Sequence, residues 1–448
     1  MARYISIACI VLFAALTLTY LSSADKVQTD QLEPVANEDQ LQRIRTEHTP
    51  GLKLAEELGL TRSFEQRYEI PGTDYTLQFD KVWYNSEYIY FFYNIDFGDE
   101  PVTNGEVPSL QFRVSVADQD SMRDQGTFTK SWAPENGLVL ENRYYHRVMT
   151  HALKDEKFET LTEVDAIRLT QIEVKIGEQV YHLPSDIILE VDFDARDEQE
   201  IHIPLDDQVQ FADHNLHFTK LVLGTAKNVL YFRFEPGSDP FQLSDLVAEL
   251  RSGNGEVRTL APAFVRMIDD GTYIAQFDPF DSWTESVQLQ LDALHLISEE
   301  GFRYRLNTSE WPPPLENADR VEWELKELID SFYDTDIYLE KLVVNDEGVY
   351  VQIRYDSGKR KEGAWLYASS LQDRLWYEDG SWDGGMLLEV VNDSGQRAEI
   401  EKRDHDENGY GFLLPMDFVT ESEWIEFSVD RLMVEVSDSQ MLEWDIRR

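Results

Sequence analysis

The sequence predicts a mainly β protein, with three tandem β-sandwich domains and short linker helices behind an N-terminal signal or anchor. Two recurrences and one leading apolar run predict it. The first recurrence is an apolar-x-apolar-x-Lys-apolar pattern, read as LQFDKV from Leu77, LHFTKL from Leu216 and IYLEKL from Ile337. Each copy is followed by a second strand-like run, IYFFYNID from Ile89, VLYFRFEP from Val229 and VYVQIRYD from Val349. Short apolar runs bounded by Asn, Asp, Gly and Pro read as paired strands. The second recurrence closes the segments. Thr284-Glu285-Ser286 leads into LQLDAL from Leu289, and Thr420-Glu421-Ser422 leads into FSVDRL from Phe427. A weaker version runs from Thr162-Glu163 through Ile167, Leu169 and Ile172. Between opening and closing runs lie VSVADQD, VAELRSGNG and LEVVNDSG, each a strand entering a turn. Lys81, Lys220 and Lys341 stand 139 and 121 residues apart, which makes each repeat a domain rather than a solenoid unit.

Each element follows from these signals. Residues 1–24 form a signal peptide or membrane anchor. Arg3 precedes an uncharged run from Tyr4 to Leu21, and Ser22-Ser23-Ala24 suits cleavage after Ala24. The run is also near the length that spans a bilayer, so cleaved signal and uncleaved anchor both stay open. Either way the charge flank places residues 25–448 outside the cytoplasm, with membrane contact only through residues 4–21 if these are retained. Residues 25–66 read as a polar, flexible stalk carrying a short helix at Leu52–Leu58. The sandwiches span 67–196, 197–311 and 312–448. The third opens with a linker helix, because Pro312-Pro313-Pro314 precedes Val321, Leu325, Leu328, Ile329 and Phe332 at helical spacing.

Composition bounds the function. The 448 residues are 42% hydrophobic and 12% aromatic, enough to fold despite a formal net charge of −46. So acidic a coat repels polyanions, and nucleic acid is excluded as a partner. The single cysteine, Cys9, lies in the leading run, so the body can form neither a disulfide framework nor a thiolate metal site. The repeated lysine reads as a long side chain covering a sheet edge.

The candidate ligand residues are few. Asp404, Asp406 and Asn408, followed by Gly409, resemble the first half of a calcium loop, although Pro415 stands where its terminal glutamate belongs. A hairpin turn accounts for the same residues, and for Asp269-Asp270-Gly271 in the second segment. Trp376, Tyr377 and Trp382 lie among carboxylates and glycines; packing on the sandwich rim accounts for them, and binding of a sugar or a cation is the alternative. Asp192, Asp194, Asp197 and Glu198 form an acidic seam between the first and second segments. His214 and His217 are three apart on a strand, which turns their rings to opposite faces. No serine elbow, HExxH or phosphate-cradling loop occurs, and no cofactor is expected beyond calcium.

The leading apolar run and opening units such as YTLQFDKVWYNSEYIYFFYNID resemble extracytoplasmic Ig-like domain proteins of unknown function from Gram-positive bacteria, some attached to anti-sigma-type regulators. The resemblance covers residues 70–448 in style and implies Ig-like sandwiches without catalytic residues. With three residues ahead of the apolar run, no cytosolic sigma-binding module is expected. The function expected is a non-enzymatic surface protein, a sensor, adhesion or envelope-interaction module whose partner is a protein or an envelope polymer. A calcium- or carbohydrate-binding surface protein is the alternative, and a secreted hydrolase stands third.

Overall fold

A computed structural model describes residues 32–102, 107–117, 125–126, 137–237, 241–269, 271–308, 320–358, 363–368, 371–373, 386–400, 403–406 and 408–446. The signal or anchor expected at 1–24 and the triproline at 312–314 lie outside them. Among the described residues no helix is long and apolar enough to cross a membrane. The protein is mainly β, with several antiparallel sheets. It divides into two compact units, Met1–Gln199 and Glu200–Arg448.

In the first unit, the short strand β1 (Glu33–Pro34) and helices α1 (Glu38–Glu47) and α2 (Leu52–Glu57) precede the sheets. Strands β2 (Thr61–Ser63), β3 (Arg67–Glu69), β4 (Thr76–Tyr84), β5 (Tyr88–Asp96), β8 (Leu138–Leu140) and β9 (Arg143–His151) form one sheet with β1. The second sheet holds β6 (Ser109–Val116), β7 (Gln125–Gly126), β10 (Glu163–Ile176), β11 (Gln179–His182) and β12 (Ile187–Asp194). Their inner faces pack together: Phe112 of β6 meets Phe79 of β4 and Phe91 of β5 edge-on, at 5.8 and 5.0 Å between ring centres. This is sandwich packing, in which alternate residues of two sheets fill a common core.

The segment expected as a flexible stalk is ordered from Leu32 onward. Asn37 caps α1 by accepting from the Gln40 amide, and Leu41 and Ile44 bury its apolar side. α2, at the expected place, sets Leu52 and Ala55 on the outward aromatic face made by Trp83, Tyr90 and Phe92. A sheet with aromatic side chains on both faces needs a cover on its outer side, and these helices supply it.

The second unit begins with β13 (Glu200–Phe211), β14 (His214–Gly224), β15 (Asn228–Glu235), β16 (Gln242–Ser252), β17 (Val257–Asp269), β18 (Thr272–Phe277), β19 (Ser286–Ile297) and β20 (Gly301–Asn307). Then follow β21 (Arg320–Phe332), β22 (Thr335–Asn345), β23 (Val349–Asp356), β24 (Gly363–Leu366), β25 (Leu371–Asp373), β26 (Met386–Asn392), β27 (Arg403–Asp406) and β28 (Gly409–Leu414). A short helix α3 (Met416–Thr420) leads to β29 (Trp424–Asp430) and β30 (Met433–Asp445).

The three lysine motifs fall on β4, β14 and β22, and all three carry the same irregularity. Pairing with the next strand shifts between Phe79 and Lys81, between Phe218 and Lys220, and between Leu339 and Lys341. A β-bulge inserts one residue and reverses the alternation after it. Leu77, Phe79 and Val82 therefore all face the core, as do Leu216, Phe218 and Leu221. The motif is the sequence signature of that bulge. Each lysine strand also occupies the same place in its sheet: β2/β3–β4–β5–β9–β8, β13–β14–β15–β18–β17 and β21–β22–β23–β28–β27. Contrary to the expectation from the sequence, the lysine does not cover a sheet edge, because another strand lies outside it each time.

The helix expected at Val321–Phe332 is instead the strand β21. Its register against β22 shifts twice, between Glu324 and Glu327 and between Leu328 and Asp330. Those extra residues stretch a period of two into spacings of three and four, which imitate a helix in the sequence. Leu325 and Leu328 stay exposed, at 41% and 53%.

Within the second unit the last strands are exchanged. In the first unit, the chain leaving β10 returns beside β10 as β11 and β12. Beyond β19 it does not return. β20 pairs with β29, while β30, which follows β29, pairs with β19 along most of its length. β24 then adds to β30, so one nine-stranded sheet runs β13–β14–β15–β18–β17–β16–β19–β30–β24. A single core results, containing Phe218 and Leu289 as well as Phe412, Phe427 and Val434. Trp444 near the end of β30 meets Phe218 edge-on at 6.1 Å, and its indole N–H donates to Asp207 of β13 at 2.9 Å.

Two predictions follow from these cores. Leu294→Ala, at a fully buried site on β19 beside Val436, should cost the second unit about 2–5 kcal/mol. Urea unfolding should show β-strands on both sides of the exchange lost in one transition. In the first unit, burial and the charge of Arg147 lower the His146 imidazole to about 4. Its unfolded counterpart gains a proton first as pH falls, so stability declines between about 6.5 and about 4. Thermal melts across that range should show His146→Gln flattening the slope.

Candidate functional site

The Asp404–Gly409 motif forms the hairpin β27–β28. Asp404 pairs with Gly411 and Asp406 with Gly409, and the Asn408 carbonyl accepts from the Tyr355 amide at 2.7 Å. The two aspartates sit at alternate strand positions with Asn408 in the tight turn. Gly409 has a separate reason to be glycine: a Cβ there would stand 2.2 Å from the Ile353 carbonyl oxygen of β23. Close strand approach accounts for it. The strands flanking Asp269–Gly271 also pair as a hairpin requires, with Asp269 opposite Thr272, while Asp270 lies outside the described residues. The Trp376, Tyr377 and Trp382 loop lies outside the described residues.

Asp192, Asp194 and Glu198 of the acidic seam are engaged. Asp194 caps a short turn and binds Arg196, whose guanidinium also meets Glu163 at 2.8 Å. The Arg196 hydrogen bonds hold the Asp194 carboxyl below its ordinary value. Asp192 lies 3.5 Å from Arg62, and Glu198 accepts from the Ser86 amide at 2.7 Å. His214 and His217 take opposite faces. His214 is buried against Phe234 and Phe241 and accepts from the Gly237 amide at 3.0 Å; His217 meets Asp206 at 2.9 Å on the outer side. Among the described residues no group of three or more His, Cys, Asp or Glu side chains is arranged to hold a metal ion.

The repeated lysines have different partners. Lys81 pairs with Glu56 of α2, beside an Arg45–Asp80 pair at 2.6 Å in which Asn94 also donates to Asp80. Lys220 lies 4.7 Å from the Tyr231 ring centre, and Lys341 meets Glu322 at 2.8 Å. The lysine thus stands on the outward face after each bulge and takes whatever acceptor its own sheet provides.

One cluster of ionisable groups escaped sequence reasoning. Asp245 of β16, His295 of β19, Glu435 of β30 and Trp365 of β24 form one row across four neighbouring strands. His295 Nε2 lies 3.3 Å from Glu435, the Ser437 hydroxyl donates to the same carboxylate at 2.9 Å, and Tyr367 stacks on the imidazole at 4.3 Å. The hydrogen bond from His295 holds the Glu435 carboxyl below its ordinary value, against the opposing effect of partial burial. Burial, with Asp245 and Glu435 nearby, pushes the Tyr367 phenol up. The row exists because β30 docks on β19. Its members lie 50 and 140 residues apart, and nothing local marks them.

Gly409→Ala should destabilise the second unit by about 1–3 kcal/mol, because backbone rather than a flexible side chain must yield. Denaturant melts with and without calcium should show the same loss.

No family model matches this chain, and no curated protein matches it. A solved structure described as the conserved domain protein from Bacillus anthracis is similar over 56% of this chain and 83% of its own length. The identity is 13% and the TM-score 0.30, a likeness too slight to carry an argument about fold or function.

Proposed function

We propose that this protein is a non-enzymatic binding array held outside the cytoplasm, with three Ig-like strand sets at 67–196, 197–311 and 312–448, the last two exchanging their final strands. One observation carries this reading: the bulged lysine strand recurs in the same sheet position at Lys81, Lys220 and Lys341. Repeated sandwiches present faces and loop ends to partners, and function resides in the sites grafted onto them. The strand exchange between the second and third sets supports the same reading, because it gives an array a stiff body. The leading apolar run with Arg3 before it and Ser22-Ser23-Ala24 after it supports export. The partner is a protein or an envelope polymer, and the body of the chain uses neither nucleic acid nor a cofactor.

Intact producing cells treated with protease should lose an epitope placed after Asp445, while a cytosolic marker survives. An epitope protected in intact cells and cut only after lysis would refute the extracytoplasmic placement. Adding ~1 mM calcium to chelator-stripped protein should leave its melting temperature unchanged. A rise would favour calcium at Asp404, Asp406 and Asn408.

A further inference from the structure

The outward face of β16–β19–β30–β24 is assembled from both sides of the strand exchange. Val247 of β16 is 39% exposed and Met441 of β30 is 62% exposed. They stand on either side of β19, two strands apart across the sheet and offset along it from Ala293 to Gln290, roughly 13 Å in all. The cross-strand row of Val247 passes through Ala293, and that of Met441 passes through Gln290. Inward neighbours such as Leu246, Ala248 and Leu442 belong to or pack on the core, so the alternation sends Val247 and Met441 outward.

Carboxylates surround this apolar pair. Glu249 and Glu443 lie beside Met441 and its neighbouring row, Asp292 is on β19, and the Asp245–His295–Glu435 row closes the far end. Some have partners already. Glu249 holds Arg251 at 2.6 Å, and Asp292 accepts from Gln290 at 3.0 Å and from Ser439 at 3.0 Å. Such contacts fix the carboxylates in position without removing the excess negative charge. A second copy of the chain would bring the same sign to the same face and is repelled. Anionic polymers are repelled likewise.

We propose that this composite face is the docking surface for a basic protein segment. Separate apolar side chains of that segment rest on Val247 and on Met441, and flanking lysine or arginine side chains meet Glu249, Glu443 and Glu435. The inference rests on the binding-array reading and names its partner class. Apolar contact supplies the affinity, while the charges set orientation and on-rate. Since β16 and β19 come from one side of the exchange and β24 and β30 from the other, neither side presents the face alone.

The test uses the full chain and a synthetic peptide alternating lysine with leucine. Titration calorimetry is run at ~0.05 and ~0.3 M salt, and every variant is first shown to melt as the parent does. Glu249→Lys combined with Glu443→Lys should weaken binding about tenfold or more, and Met441→Ser several-fold with the salt dependence unchanged. The exposed control pair Glu156→Lys and Glu159→Lys, in the first unit, should change affinity less than about twofold. Equal losses in face and control variants, or no binding by the parent chain, would overturn the proposal. Either result leaves the protease-accessibility outcome untouched, so failure of this site is distinguishable from failure of the array.

Discussion

The pairing of β19 with β30 is the constraint on which the larger unit depends. Val287, Leu289, Leu291, Leu294 and Leu296 of β19 are all essentially inaccessible to solvent, and the β30 residues opposite include Val434, Val436 and Trp444. Burying one such side chain contributes about 1.5–3 kcal/mol, so the loss of this pairing would remove several such contributions together. It would also leave the inner strand β19 with an unpaired edge, a template for association with other chains. The reciprocal pairing of β20 with β29 closes the exchange from the other side. The second and third strand sets therefore share one core, whereas the first unit satisfies the same need locally with β11 and β12.

A second constraint works at smaller scale. The bulge before each lysine turns the following residues over, so one strand serves the core with Phe79 and Val82 and the outer face with Lys81 and Trp83. What then happens on the outer face differs between copies. The first copy carries Trp83, Tyr90 and Phe92 there and needs the α1–α2 cover, tied down by Glu56 on Lys81 and Arg45 on Asp80. The second copy carries Val222, Val229 and Ile274 in a small cluster of their own, with Lys220 over Tyr231. A common strand geometry thus accommodates unlike coverings, because the bulge sets which residues face outward without setting their chemistry.

Legibility varied with the range of the interaction. The strand pairs around Lys81, Lys220 and Lys341 and the Asp404–Gly409 hairpin were readable, since alternation and turn residues act over a few positions. The stalk misled because residues 38–47 are polar overall, yet Leu41 and Ile44 suffice to dock a capped helix on a prepared aromatic sheet. β21 misled in the opposite sense, since bulges turned strand spacing into helical spacing. The Asp245–His295–Glu435 row left no trace, because its members are brought together only by tertiary pairing.

By itself the sequence determined the strand-rich composition, the position of each lysine strand, and the net acidity. Those properties follow from side-chain periodicity, turn chemistry and summed charge, all of which are local or additive. Only the tertiary structure decided which strand lies beside β19. A strand returning next to its own predecessor and one arriving from the next set make the same ladder hydrogen bonds and bury the same alternate side chains. The choice between them is made by chain geometry and core packing, which no window of sequence contains.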